Sequence, residues 1–328
     1  MDGPVQELIS AIAAPGAVLA TSTKGQHKVE VAGVTDRDSG TSVTPETPFR
    51  IASLTKTLTS AATVLTARAA GRSLDEPLAE LMPELVAISR AATRLTLADL
   101  LAQVSGLRES VDSDAVAALG DGDDALASAA RLVIEAGRDE APGERWSYYN
   151  GNYFLAGAAL ARLAGSSYED ALQQHVLKPW GLTATGFATP DGAALGHEGD
   201  AAVTDADYPR SRRPSGGLWS TATDLLQVGE RLLADEALLA ATREPRTPES
   251  STTTYGLGWA IGPSGQMYVN GRLTGFRAVL LAVPEDEFVA VGLANHEDAL
   301  PTLAHAVSAL QQPHTGDDIA KDLDAFAA

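Results

Sequence analysis

The stretch Thr47-Pro-Phe-Arg-Ile-Ala-Ser53-Leu-Thr-Lys56-Thr57 passes from an extended segment, Phe49-Arg-Ile-Ala, into the start of a helix. The prolines Pro45 and Pro48 make Thr44 to Pro48 a connector. From Ser53 an Ala/Leu/Thr pattern runs to about Ala70 and stops at Gly71. Residues three apart share a helix face, so the Lys56 amine can reach the Ser53 hydroxyl. That places a nucleophile beside a base, because a serine hydroxyl reacts poorly until a group accepts its proton, and a lysine kept neutral by desolvation can do so. The positive end of the helix dipole favours oxyanion charge and opposes protonation of Lys56. With 22 serines and 5 lysines in 328 residues, chance supplies about 0.3 such spacings, so the motif alone does not exclude an N-capping serine beside an exposed lysine.

Outward from this stretch the chain divides by periodicity. Upstream, Val5 to Ala13 reads as a helix, and Gly16 to Thr23 and His27 to Val34 as a hairpin around Lys24-Gly25. Downstream, the pattern to about Thr242 is helical and alanine-rich, broken at Gly120-Asp-Gly, Pro142-Gly143, Gly165 and a polar stretch from Thr183 to Gly217. After Pro245 strands return at Leu257 to Ile261, Gln266 to Asn270, Phe276 to Val283 and Phe288 to Asn295, followed by a helix from Ala299 to Leu310. The expected class is therefore α+β: one antiparallel sheet built from both termini, flanked by helices, with a mainly helical domain inserted. The expected division is a single unit, 1–328, with an α/β subdomain over 1–60 and 245–328 and a helical subdomain over 61–244. The acidic tail from Thr315 reads as a last helix or a solvated end.

Composition narrows the function. With 43 acidic and 24 basic residues the formal charge is −19, and nucleic acid would be repelled. The absence of cysteine removes disulfides, thiolate metal sites and cysteine nucleophiles. The uncharged stretch Leu8 to Thr23 is broken by Pro15-Gly16 and too short to span a bilayer, and the start of the chain has no basic region of a secretory signal, so the expected location is cytoplasmic, off the membrane. No His-Glu-x-x-His, calcium loop, Gly-x-Ser-x-Gly elbow or Walker loop is present, Asp121-Gly-Asp-Asp lacking the spaced ligands and closing Glu, so no metal or cofactor is expected.

The quoted stretch resembles the nucleophile region of serine β-lactamase-like proteins, a family including class C β-lactamases, DD-peptidases, family VIII esterases and related transacylases. Further segments are similar in the same order: Pro15-Gly-Ala-Val-Leu-Ala, Leu74-Asp-Glu-Pro-Leu, Leu97 to Leu107, Pro214-Ser-Gly-Gly-Leu-Trp and Tyr255-Gly-Leu-Gly-Trp259. Gln103 stands where the family usually has His. Pro142-Gly-Glu-Arg-Trp-Ser-Tyr148-Tyr-Asn150 is similar to the family's Tyr-x-Asn loop, which implies Tyr148 as partner base and Asn150 as a substrate-positioning amide. Tyr268-Val-Asn270 fits the same triplet but lies on an expected strand, and a loop shifted by one residue would offer Tyr149 instead. A cationic Lys56 would favour the Tyr148 phenolate.

Alignment on Gly275-Phe276 puts Val269-Asn-Gly271 where the family has Lys-Thr-Gly or His-x-Gly, so the usual cation is missing. The resemblance then implies that Gly271 lets the strand approach the acyl group and that the backbone N–H groups of Ser53 and Arg272 form an oxyanion hole. The Arg272 side chain either replaces the missing cation or is an exposed surface arginine. Trp146, Trp219 and Trp259 either line the site or pack in the core. The expected protein is a serine hydrolase acting on an ester or amide through a Ser53 acyl-enzyme, with small-molecule donor and acceptor as partners. The rivals are a transacylase or cyclase passing the acyl group to an amine or alcohol, a β-lactamase or DD-peptidase, and a non-catalytic module of the same fold.

Overall fold

The computed structural model describes residues 3–203 and 208–327. β1 (Gly16–Thr23) and β2 (Gln26–Gly33) form the expected hairpin, and Lys24 and Gly25 take φ of 50° and 77°, the two positive values of a turn matched to strand twist. β3 (Ala260–Ile261), β4 (Met267–Leu273), β5 (Phe276–Val283) and β6 (Phe288–Ala294) come from the other end of the sequence. Together they make one antiparallel sheet in the order β2-β1-β6-β5-β4-β3, closed between the two ends of the chain by β1 on β6.

The sheet is covered on both faces. β5 and β6 are buried almost throughout and read as continuous apolar runs, as strands packed on both sides must. On one face Val289 meets Gly229 of α5 (Ala222–Ala234), where an added Cβ would lie 2.6 Å from the valine. On the other, Gly292 lies under Leu303 and Val307 of α6 (Leu300–Thr315). The N-terminal α1 (Gly3–Ser10) packs beside α6.

The helical part centres on α2 (Thr55–Ala69), α3 (Ala125–Glu135) and α4 (Asn150–Ala164). α2 is buried on nearly all sides, so its threonines cannot be paired with water. They donate instead to carbonyls of the preceding turn: Thr59 to Thr55, Thr63 to Thr59 and Thr66 to Ala62, at 3.1, 2.8 and 2.7 Å. That accounts for a helix rich in residues that ordinarily prefer strands.

The expected strand from Leu257 shrinks to Ala260–Ile261, because Gly258 at φ +85° turns the chain first. The polar stretch 183–217 contains a small hairpin, Gly196–Glu198 on Ala201–Val203, and the short helix Arg213–Gly216. Residues 49–50 pair with Trp219–Ser220, tying the connector before Ser53 to the far side of the helical part. Among the described residues no helix is long and apolar enough to cross a membrane.

Candidate active site

Ser53 lies on a 3₁₀ turn, Ala52–Leu54, that leads into α2, rather than on the helix itself. Ala52 takes φ +46°, a left-handed conformation costly for a residue with a Cβ. The turn is held there from both sides: Ile51 N–H donates to Leu218 O at 3.1 Å, and Thr55 Oγ1 accepts from Leu218 N–H at 3.3 Å. Gly271 of β4 presses on it, since a Cβ at that position would stand 2.5 Å from the Ile51 carbonyl oxygen. Only glycine lets the strand come this close.

Lys56 is fully buried and its Nζ donates to Ser53 Oγ at 3.1 Å and to the Ser215 carbonyl at 2.8 Å. The rings of Tyr148 and Tyr153 stand 4.9 and 5.5 Å from the amine. No carboxylate among the described residues pairs with it. Burial therefore holds its pKa well below the ordinary lysine value, and the charge of Arg212 pushes the same way. The Ser215 contact was not legible as a role, because a carbonyl acceptor carries no side-chain signature; Pro214-Ser-Gly-Gly showed only as a similar segment.

Tyr148 sits immediately before α4 and its hydroxyl is buried, near enough to Ser53 for the serine to lower its pKa, yet without a hydrogen bond of normal geometry. Burial dominates and drives the phenol pKa upward, with Ser53 and Arg272 opposing. The expectation that a cationic Lys56 would favour a phenolate is thus corrected: the same desolvation pushes both groups toward their neutral forms. Tyr149 takes no part in this cluster. Its ring packs against Gly151, whose Cβ would meet it at 2.3 Å, and its pKa is pushed up to about 12 by burial, with Glu109 adding to the effect.

Gln103 fixes the loop on both sides of Tyr148. Its backbone carbonyl accepts from Ser147 N–H at 2.9 Å, and its Oε1 accepts from Tyr149 N–H at 3.1 Å and from Asn152 Nδ2 at 2.5 Å. The departure from the family's usual His is met by an amide that makes the contacts locally. Asn150 opens α4, partly exposed, and its amide has no intramolecular partner among the described residues.

On β4 side chains alternate. Val269 shares the face of Gly271 and is wholly buried, with no cation in its place. Asn270 and Arg272 face the other way, toward α7 (Ala320–Ala325). Asn270 Nδ2 donates to Leu323 O at 2.6 Å and Phe326 O at 2.8 Å, and Arg272 Nη2 donates to Asp324 O. Arg272 is therefore neither an exposed surface arginine nor a free replacement for the missing cation. Of the tryptophans, Trp146 lines the cleft, while Trp219 and Trp259 are core residues, Trp219 stacking on Arg50 at 4.5 Å.

Of the two readings of the tail, a last helix and a solvated end, the helix is the one found. The chain turns at Gly316 (φ +80°) and α7 returns over β4, burying Ile319, Leu323 and Phe326, a packing not expected from the sequence. Their spacing is a helical one, and the four aspartates among them, Asp317, Asp318, Asp322 and Asp324, concealed it.

The sequence model of the family described as Beta-lactamase matches residues 5–311. Penicillin-binding protein 4 of Amycolatopsis lactamdurans is 28% identical over 314 residues, covering 86% of this chain and 81% of that protein. Among solved structures, that of SurE superposes with a TM-score of 0.81 at 25% identity, over 96% of this chain and 75% of that one. A class C beta-lactamase from Rhodobacter sphaeroides superposes with a TM-score of 0.77 at 22% identity, over 93% and 97% of the two chains.

Proposed function

Because the chain belongs to the Beta-lactamase family of serine hydrolases and acyl transferases, we propose that it forms an acyl-enzyme on Ser53 from an uncharged ester, thioester or amide donor. The observation that carries this is the wholly buried Lys56 amine, 3.1 Å from Ser53 Oγ and without a carboxylate partner among the described residues. A neutral amine so placed accepts the serine proton as Oγ adds to the donor carbonyl. The Ser53 and Arg272 N–H groups would hold the oxyanion, and Tyr148, between Lys56 and the cleft, would hand the proton to the leaving group. The leaving group departs protonated and the acyl group stays on Ser53. Asn150 would hold the donor by its free amide. Water or a small amine or alcohol then takes the acyl group; the family includes both outcomes, and hydrolysis is the simpler reading.

This assignment fixes the sign of the pH dependence. Acylation falls as pH drops through the Lys56 pKa, because the protonated amine cannot act as base, and burial sets that limb below the ordinary lysine range. Arg212→Gln removes the second cause of the depression, so its acid limb moves to higher pH. Profiles of kcat/KM against pH for the two proteins check this. Coincident limbs would show that another group titrates.

The preference for uncharged donors rests on Val269 and on the carboxylates Glu109 and Asp322 that line the cleft. One missing charge-assisted contact is worth roughly 1.5–3 kcal/mol, or about ten- to a hundredfold in rate. A neutral thioester is expected to acylate Ser53 faster than a penicillin, and Val269→His to narrow the gap by up to that factor. Comparison of second-order acylation rates on both proteins tests it. A preference for penicillin in the unaltered chain would favour the penicillin-binding reading suggested by the relative from A. lactamdurans.

A further inference from the structure

Phe326 occupies the centre of an aromatic enclosure beside the reacting groups. Its ring lies 5.6 Å from that of Tyr148 and 5.9 Å from that of Tyr268, both edge-on, 5.9 Å from Tyr255, nearly parallel, and 6.3 Å from Trp146. The segment that delivers it is held by carbonyl groups, on Asn270 Nδ2 and Arg272 Nη2, from the strand that also presses on the nucleophile turn. β3 pairs only with residues 267 and 268 of β4, so past Tyr268 that edge has no strand partner among the described residues and is covered by the tail instead. Around the ring, Trp146 Nε1 and Arg272 Nε are buried without a partner among the described residues, while Tyr255 Oη faces Tyr153 and Tyr148 Oη faces Ser53. Buried polar groups are normally satisfied, and a cluster of unsatisfied ones points to a ligand that completes them. A cavity of about 850 Å³ adjoins the ring, lined in part by Trp146, Tyr148, Tyr268 and Phe326.

We propose that the groove under residues 320–327 is the acyl-donor subsite, that it takes an uncharged acyl group bearing an aryl ring, and that the tail is its intramolecular placeholder. The proposal rests on the Ser53 acyl-enzyme reading and adds the donor class. Phe326 marks where the aryl ring binds. Glu109, which stays on the rim when the tail leaves, disfavours anionic donors, and the four rings favour an aromatic one over a short alkyl. A donor entering the groove displaces Phe326, so the observed acylation rate scales with the fraction of molecules whose tail is open. The Ser53 Oγ–C bond then forms as the thioester C–S bond breaks, and the serine proton leaves on the thiol.

The test uses S-phenylacetyl and S-acetyl thioesters of N-acetylcysteamine on the intact chain, on Phe326→Ala and on a chain ending at Gly316, with Ser53 adducts timed by intact mass. Phe326→Ala should raise the phenylacetyl rate about tenfold or more and the acetyl rate much less. The peptide Ala-Lys-Asp-Leu-Asp-Ala-Phe-Ala, residues 320–327, should slow phenylacetylation of the shortened chain. If that chain does not fold, Phe326→Ala decides alone. Equal rates in intact and Phe326→Ala proteins, with Ser53 acylated in both and no aryl preference, would overturn the subsite and leave the acyl-enzyme reading standing. No adduct in any of the proteins would remove that reading, and the subsite with it.

Discussion

Ser53→Ala abolishes acyl-enzyme formation, lowering acyl transfer on the order of 10⁴-fold or more, while the protein stays folded. Among the described residues the serine is the one hydroxyl bonded to the Lys56 amine, whose other bond goes to the Ser215 carbonyl. The cost to the fold is small. An N-cap would be worth about 1 kcal/mol, but α2 begins at Thr55 and Ser53 makes no side-chain cap bond, so even that is not forfeited. Lys56 keeps its bond to the Ser215 carbonyl. Thermal unfolding measured beside the acylation rate separates the two effects: activity lost with an unchanged melting temperature is the expected pair, and a matching loss of both would assign Ser53 to structure.

Tyr148→Phe lowers turnover by about 10² to 10⁴, the range for removing a general acid–base, and does so while stabilising the protein slightly. The hydroxyl is buried with no partner of normal geometry, and deleting such a group relieves a desolvation penalty of about 1–3 kcal/mol. A residue kept for packing would show the reverse. Tyr149→Phe is the control. Its ring is folded against Gly151 and away from Lys56, so turnover should be unchanged. If the Tyr149 variant is the slow one, the proton relay runs through the wrong tyrosine.

Much of the sheet could be read in advance because its strands are local patterns. Phe276 to Val283 and Phe288 to Ala294 are continuous apolar runs, and β1 with β2 carries a two-residue turn between them. That both ends of the chain share one sheet followed from the strands at each end, though the pairing of β1 with β6 itself did not. That Ser53, Lys56 and Tyr148 lie together was expected, the first two from their spacing of three and Tyr148 from the resemblance of its loop to the family's Tyr-x-Asn element. What stayed hidden lies in backbone and in distant contacts. The positive φ of Ala52 is imposed by Leu218, by Thr55 and by the close approach of Gly271, none of which leaves a mark at position 52. The Ser215 carbonyl and the carbonyls of residues 323, 324 and 326 act through atoms that every residue has. Arg272 read as a surface residue because its partner is supplied by a tail whose acidity suggested solvent.

Exposure of the intact protein to a neutral aryl thioester, followed by intact-mass measurement and peptide mapping, tests the central claim most directly. The account predicts one acyl group gained and located on Ser53. An adduct on any other residue, or none under conditions where the chain is folded, would contradict it.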